Sequence, residues 1–172
     1  MSKPDQVVSL EYRVNKSFEG KYFMGHTPVL TLSGTQNAWG GLYNPKGSKV
    51  NLFINTFTVS NYSSTPYQAE LWLNSKLIEK GRPSPFLSPA NTAKTPLPKS
   101  AVHVMYNQGA SGKPVNGASI FTRIAEAHST TVGNYYGKIV IPPEGSFIVF
   151  LHAPNSGNID AEVAFGYWVD KA

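Results

Sequence analysis

The stretch KVNLFINTFTVSN, residues 49–61, decides the fold class. Its apolar residues form two sets of opposite phase: Val50, Leu52 and Ile54, then Phe57 and Val59. A period of two residues is typical of a half-buried β-strand, and the change of phase near 55–56 predicts a β-bulge. The alternative is a central strand buried on both faces, which Phe53 would also fit.

The turn at 63–66 leads into a second alternating run, 67–74, so that the two runs form a long hairpin. Similar runs recur roughly every ten to fifteen residues, separated by turn-forming residues. This rhythm predicts an all-β fold, an antiparallel two-sheet β-sandwich of jelly-roll-like type with about eight to ten strands. Residues 119–128 fit either a short helix or a strand.

The strand at the C-terminal end of the sequence has the clearest pattern, because Val163, Phe165 and Tyr167 share one face and Glu162 and Trp168 the other. The same-face residues of the four best strands predict the core. This predicted core comprises Leu52, Ile54, Leu71, Leu73, Val149, Leu151, Val163 and Phe165.

Two segments stand apart from this pattern. Residues 1–14 predict an N-terminal arm or strand, in which Val8, Leu10, Tyr12 and Val14 alternate with polar residues. Residues 81–100 contain five prolines, which predict an extended excursion without ladder pairing. That excursion fits an interaction loop or a crossover between sheets.

Composition excludes several classes of protein. The chain has 172 residues and no linker, which predicts a single domain over 1–172. It has no cysteine, which excludes a disulfide or a thiolate site. Its net charge of +5 comes from scattered lysines, so that we expect no nucleic-acid partner. The sequence has no apolar run long enough to indicate a Sec signal or a membrane-spanning segment, so that we expect no membrane partner. We therefore expect synthesis in the cytoplasm, with spore or cell-surface location only after assembly or lysis.

Catalytic motifs are missing from the sequence. It contains no Gly-x-Ser-x-Gly and no phosphate-binding glycine loop, so that we predict a non-enzymatic protein with no catalytic residue and no cofactor. The four histidines lack metal-ligand spacing, although His103 and His152 could meet a carboxylate in space. The prediction is that no metal binds.

The aromatic residues leave one alternative open. Trp39, Trp72 and Trp168 could form an exposed stacking platform, which would make the protein a carbohydrate-binding β-sandwich module with a glycan as partner. Packing or subunit contact explains the same residues and is the favoured interpretation.

Two motifs carry a family resemblance: WGGLYNPKGS at 39–48, and IPPEGSF at 141–147 with AFGYW at 164–168. The chain resembles a small uncharacterised β-sandwich family of spore-forming Firmicutes, with patterns similar to virion and fibre jelly-roll domains. The resemblance implies a structural or self-assembling protein and carries over no catalytic residue.

The leading hypothesis is therefore a bacterial structural protein that self-associates into an oligomer or fibre, related to a spore surface or an appendage. The arm and the proline-rich excursion are expected to supply its interface. The predicted interface residues are Val8, Leu10, Tyr12, Phe86, Leu87 and Leu97.

Overall fold

The structure, a computed structural model, describes residues 9–76, 81–152 and 157–172. Strands account for 59% of the chain and helix for 4%, which confirms the predicted all-β sandwich. The elements are α1 (Tyr12–Phe18), β1 (Tyr22–His26), β2 (Leu30–Ser33), β3 (Asn37–Tyr43), β4 (Val50–Asn61), β5 (Tyr67–Leu73), β6 (Arg82–Pro83), β7 (Leu87–Pro89), β8 (His103–Ala110), β9 (Ala118–Ala125), β10 (Ser129–Ile141), β11 (Ser146–Leu151) and β12 (Asn158–Lys171).

Two antiparallel sheets pack face to face. Sheet A has the order β10-β4-β12-β1-β7, with β2 also paired to β12, and sheet B has the order β6-β8-β3-β11-β5-β9. The described residues thus form twelve strands rather than the predicted eight to ten, partly because β6 and β7 are only two and three residues long. From β10 to β12, consecutive strands alternate between the sheets, as in jelly-roll-like connections.

Strand β12 occupies the middle of sheet A. It pairs with β4 over Ala161–Lys171 on one side, and with β1 and β2 on the other. Its alternation matches the predicted parity, since Val163, Phe165 and Tyr167 lie in the core while Glu162 and Ala164 face outward and remain half-buried. The register predicted for this strand is confirmed.

The core lies between the two sheets. Seven of the eight predicted core residues are buried, and Leu73 is half-buried against the same cluster. The sheets approach closely at Gly40 of β3, where an added Cβ would lie 2.6 Å from Thr27 Cγ2 and 3.1 Å from Val163 Cβ. A side chain larger than hydrogen would not fit there without movement.

The β-bulge predicted in β4 is also present. Gly166 pairs with Thr56 and Tyr167 pairs with Ile54, so that Asn55 has no counterpart in β12. The extra residue changes the phase of the strand and keeps apolar side chains on the inner face on both sides of the bulge.

Two local predictions are wrong. The strand predicted within residues 1–14 is replaced from Tyr12 onward by α1, and Val8 lies outside the described residues. Alternation over a few residues fits a strand, but Leu10, Val14 and Phe18 also follow the four-residue spacing of a helix. The long-range pairing of Lys16 with Asp170 favours the helix here.

Ladder pairing was also wrongly excluded from the proline-rich excursion. Pro83 lies in β6 and Pro89 in β7, and these strands form the matching edges of sheets B and A. Proline is tolerated at an edge because its missing N–H can face solvent. The segment crosses between the sheets, as one of the two interpretations predicted. Of the two structures that fit residues 119–128, the strand is the one that forms, since most of these residues belong to β9.

Candidate functional site: the outer face of sheet A

The outer face of sheet A carries a row of stacked aromatic rings. Phe53 of β4 stacks on Trp168 of β12 with ring centroids 5.4 Å apart, and Tyr22 of β1 stacks on the other side of Trp168 at 6.4 Å. These residues are cross-strand neighbours, since Trp168 pairs with both Phe53 and Tyr22. The row forms a hydrophobic platform on a face that would otherwise meet solvent.

Helix α1 lies on this platform. The Tyr12 ring meets Trp168 edge-on at 6.1 Å, and Lys16 is buried beneath the helix with its Nζ 2.6 Å from an Asp170 carboxylate oxygen. Glu19 and Lys21 complete the ion cluster, with Glu19 contacting both lysines and Lys21 also contacting Asp170. The helix is therefore anchored by an aromatic contact and a charged network.

The network shifts the ionisation of its members. The hydrogen bond from Lys16 holds the pKa of Asp170 well below its usual range, with a further contribution from Lys21, although partial burial opposes the shift. Burial lowers the pKa of Lys16, but its hydrogen bonds to Asp170, Tyr12 and Glu19 outweigh burial and raise that pKa overall. Both groups are therefore held in their charged forms.

The helix is inverted relative to an ordinary amphipathic helix. Its charged residue Lys16 faces the sheet, whereas Leu10, Val14 and Phe18 are 49%, 41% and 61% exposed. Val14 and Phe18, four residues apart, lie on one side of the helix, and Leu10 lies just before the helix begins. These three residues are called here the α1 stripe. A surface helix normally buries its apolar side and exposes its charges. The α1 stripe is thus an apolar surface that residues 9–76, 81–152 and 157–172 leave exposed.

A bulge in β10 closes the platform on the other side. The register between β10 and β4 shifts between Asn134 and Ile139, and Tyr136 and Gly137 in this bulge have positive φ angles of 54° and 79°. An added Cβ at Gly137 would overlap the Trp168 ring. Arg13 of α1 lies 4.7 Å over the Tyr136 ring, which links the bulge to the helix.

A groove of about 520 Å³ lies beside the helix on the same face. Small side chains of β4 and β12 form its floor: Thr56, Thr58, Ala164 and Gly166. Tyr22, which stacks on Trp168 next to α1, lines the end nearest the helix, and Met24 also contributes to the lining. The groove exists because small residues follow the bulky aromatic row along the same strands.

The far end of the groove contains a histidine and a glutamate that are held by local contacts. His26 Nδ1 donates a hydrogen bond to the Thr27 carbonyl at 2.8 Å, and the Phe86 ring stacks on the imidazole at 4.6 Å. A Glu162 carboxylate oxygen lies 3.6 Å from His26 Nδ1. Among the described residues of the lining, Glu162 and His26 are the ionisable side chains apart from Tyr22, and none is a lysine or an arginine.

The predicted interface residues within the described ranges converge on this face. Leu10 and Tyr12 are exposed on the α1 segment, while Phe86 and Leu87 line the groove. Leu97, 53% exposed, precedes Pro98, whose ring is close to Gly20 just beyond α1. Lys94 Nζ lies 3.0 Å from the Glu19 carbonyl in the same region. Val8 lies outside the described residues.

The predicted tryptophan platform does not form. Trp39 is buried in a cluster with Ala110, Ile148 and Phe150, and Trp168 is buried under α1 and its neighbours. Trp72 is half-buried and donates its Nε1 hydrogen bond to Glu70 at 3.0 Å. The outward parity of Trp168 was predicted correctly, but the helix that covers it was not.

The histidines considered for a metal site lie apart. His103 pairs with Tyr43, which pairs with Ser146 at the start of β11, whereas His152 follows Leu151 at the other end of that strand. His152 instead contacts Glu70 at 2.7 Å. Burial raises the pKa of Glu70, but its hydrogen bonds with Trp72 and His152 lower it overall. Within the described ranges, no group of three or more His, Asp or Glu side chains is placed to hold a metal.

Sequence reasoning missed the outward-facing residues of α1 and the floor of the groove. Val14 and Phe18 were not selected, although their spacing of four was visible in the sequence. Thr58 and Ala164 carry no sequence signal of their own, because a depression in a sheet depends on neighbours brought together by strand pairing.

The fold and this face define an antiparallel two-sheet β-sandwich with an apolar surface that the described part of the chain leaves exposed. Residues 1–172 match the model of a family described as "Family of unknown function (DUF6143)", and the chain therefore belongs to that family. No curated protein and no solved structure matches the chain. Among the helical residues of the described ranges, none belongs to a helix long and apolar enough to cross a membrane.

Proposed function

We propose that the protein is a non-enzymatic structural protein that self-associates through the outer face of sheet A. The observation that carries this proposal is the inverted orientation of α1. Burying a lysine is costly unless it is paired, and here the pairing with Asp170 fixes an orientation that leaves the α1 stripe exposed. A second copy of the chain would cover that stripe.

The rest of the face supports the same proposal. Exposed apolar residues from the proline-rich excursion, Phe86 and Leu97, lie on or beside it. Such contiguous apolar surfaces mark interaction sites more often than scattered exposed residues do. A proline-rich segment also loses little conformational entropy on docking. Assembly at a spore surface or in an appendage stays a prediction from the sequence.

The test is the double variant Val14→Ser, Phe18→Ser, with Val115→Ser as the control. Val115 is 54% exposed but bridges to Lys76, away from this face. Sedimentation velocity over a range of concentrations should show wild type and control associating, and the double variant dissociating with a Kd at least about tenfold higher. The midpoint of thermal unfolding of the monomer should hardly change.

Two results would overturn the proposal. One is a wild-type chain that remains monomeric at the highest soluble concentration. The other is a double variant that associates as strongly as the control, because then the α1 stripe would not contribute to the contact.

A further inference from the structure

The groove and the α1 stripe are neighbours on one face, and this arrangement is self-complementary. The helix stands above the aromatic row, and the groove begins at Tyr22, the last ring of that row. A two-fold axis lying in the plane of the face, between the two features, would turn the second copy over and place each α1 stripe on the groove of the other copy. Such an isologous contact closes at two subunits.

We infer that the groove receives the α1 stripe of a second copy, in a reciprocal pair. This inference rests on the proposed self-association and names the surface that the stripe meets. In this pair the α1 stripe of each copy packs into the groove of the other, so that the two helices do not pack on each other and the occupant of the groove is a protein segment, not a small molecule.

The chemistry of the two surfaces matches. The floor presents the methyl groups of Thr56, Thr58 and Ala164, and Met24 and Leu87 add apolar lining. Val14 and Phe18 supply apolar side chains of different size on consecutive turns. The volume of the groove, about 520 Å³, lies within the roughly 300–1,000 Å³ of ligand-binding pockets.

The charges are also complementary. The groove carries the Glu162 carboxylate at its far end, close to His26, and no lysine or arginine stands among the lining residues that the structure describes. Lys94 lies beside the α1 stripe, with its Nζ 3.5 Å from the Phe18 carbonyl oxygen and 3.0 Å from the Glu19 carbonyl oxygen. When Phe18 enters the groove of the partner, Lys94 accompanies it and brings a cation toward Glu162. Such a contact fixes orientation more than it adds affinity.

The absence of cysteine from the sequence allows a clean crosslinking test. One preparation carries Val14→Cys and another carries Ala164→Cys, and the two are mixed in a glutathione redox buffer. The control mixture replaces Val14→Cys by Val115→Cys. Because each chain then has a single thiol, every disulfide between chains reports one contact between copies.

The inference predicts that disulfides between Cys at 14 and Cys at 164 form at least about tenfold faster than in the control mixture, since proximity raises the effective concentration. Faster crosslinking between two chains that both carry Val14→Cys would mean that stripes pack on stripes. That outcome overturns the inference and leaves self-association standing. No crosslinking above control, in a protein that sedimentation shows to associate, also overturns it.

A second measurement fills the groove directly. Ala164→Phe places a ring on the floor from an outward-facing strand position, and phenylalanine is well tolerated in strands. Thr130→Phe, on the same face of sheet A but outside the groove lining, is the matched control. Ala164→Phe should raise the Kd of self-association at least about tenfold while the control leaves it unchanged. Equal Kd values for the two variants would overturn the inference, even where Val14→Ser, Phe18→Ser still abolishes association.

Discussion

Lys16 is 5% exposed beneath a surface helix, at a position where an apolar residue would ordinarily pack. Its ammonium group contacts Asp170 at 2.6 Å and Glu19 at 3.2 Å, so that the buried charge is paired on two sides. Removing the carboxylate of Asp170 would leave that charge with one partner. The cost of an incompletely paired buried charge exceeds the value of an ordinary surface ion pair.

Asp170→Asn is therefore expected to lower the free energy of unfolding at neutral pH by about 1–3 kcal/mol. The hydrogen bond from Lys16 depresses the pKa of Asp170 in the folded state. Its stabilisation is therefore present above the unfolded pKa, about 3.9, and is lost as the pH falls through the lower folded value. Urea unfolding measured between neutral and strongly acid pH should show a smaller acid loss in Asp170→Asn than in wild type.

Asp160→Asn is the matched control for this measurement. Asp160 lies on the same strand and accepts a hydrogen bond from the Thr31 hydroxyl at 2.8 Å, but its side chain is exposed. An equal loss of stability in both variants at neutral pH would show that the Lys16 network contributes nothing beyond an exposed polar contact.

Among the elements, β10 depends on its bulge to cover the aromatic platform. Gly137 adopts a φ of 79° and brings its backbone against the ring of Trp168. Only a residue without a Cβ can combine this backbone conformation with such a close approach. The bulge thus joins backbone geometry to the packing of the platform that carries α1.

Gly137→Ala is expected to lower the free energy of unfolding by about 3 kcal/mol, from both the positive φ and the overlap with Trp168. Gly47→Ala separates the two causes, because Gly47 has a φ of 83° but nothing within 4 Å of an added Cβ. Its loss should be about 1 kcal/mol. Equal losses in the two variants, measured by denaturant unfolding, would contradict the close packing of Gly137 on Trp168.

The same elements show how far the sequence determines the structure. The change of phase in 49–61 predicted the bulge at Asn55, and the parity of β12 predicted which residues lie in the core, because both are local patterns of period two. Helix α1 was missed because its stability depends on Asp170, far away in the sequence. The groove was missed because its floor combines residues of two strands that only pairing brings together.

For the whole molecule, the two sheets come into close contact where β3 of sheet B meets sheet A. An added Cβ at Gly40 would lie 2.6 Å from Thr27 Cγ2 and 3.1 Å from Val163 Cβ. Thr27 also accepts a hydrogen bond from the Val163 backbone N–H at 3.1 Å through its hydroxyl oxygen. At this point of the core, a methyl group on one sheet therefore packs against a glycine on the other.

Gly40→Ala is expected to lower the free energy of unfolding by about 1–3 kcal/mol, because the added methyl group overfills this contact. Thr27→Ser removes the opposing methyl group and keeps the hydroxyl. The double variant should therefore be more stable than the sum of the two single losses predicts, by at least about 0.5 kcal/mol in a double-mutant cycle. Additive losses in denaturant unfolding would show that the two groups do not compete for the same space.

The central place of β12 has a consequence for the order in which the chain can fold. Strands β1, β2 and β4 are synthesised early but share β12 as their partner, and β12 is made after the other eleven strands. The pairing of strands in sheet A therefore cannot be completed while the ribosome is still synthesising the middle of the chain. Until then the apolar faces of its early strands remain exposed. Domains of high contact order fold slowly and expose such surfaces longest. Nascent chains of this protein should accordingly depend on chaperones until β12 emerges.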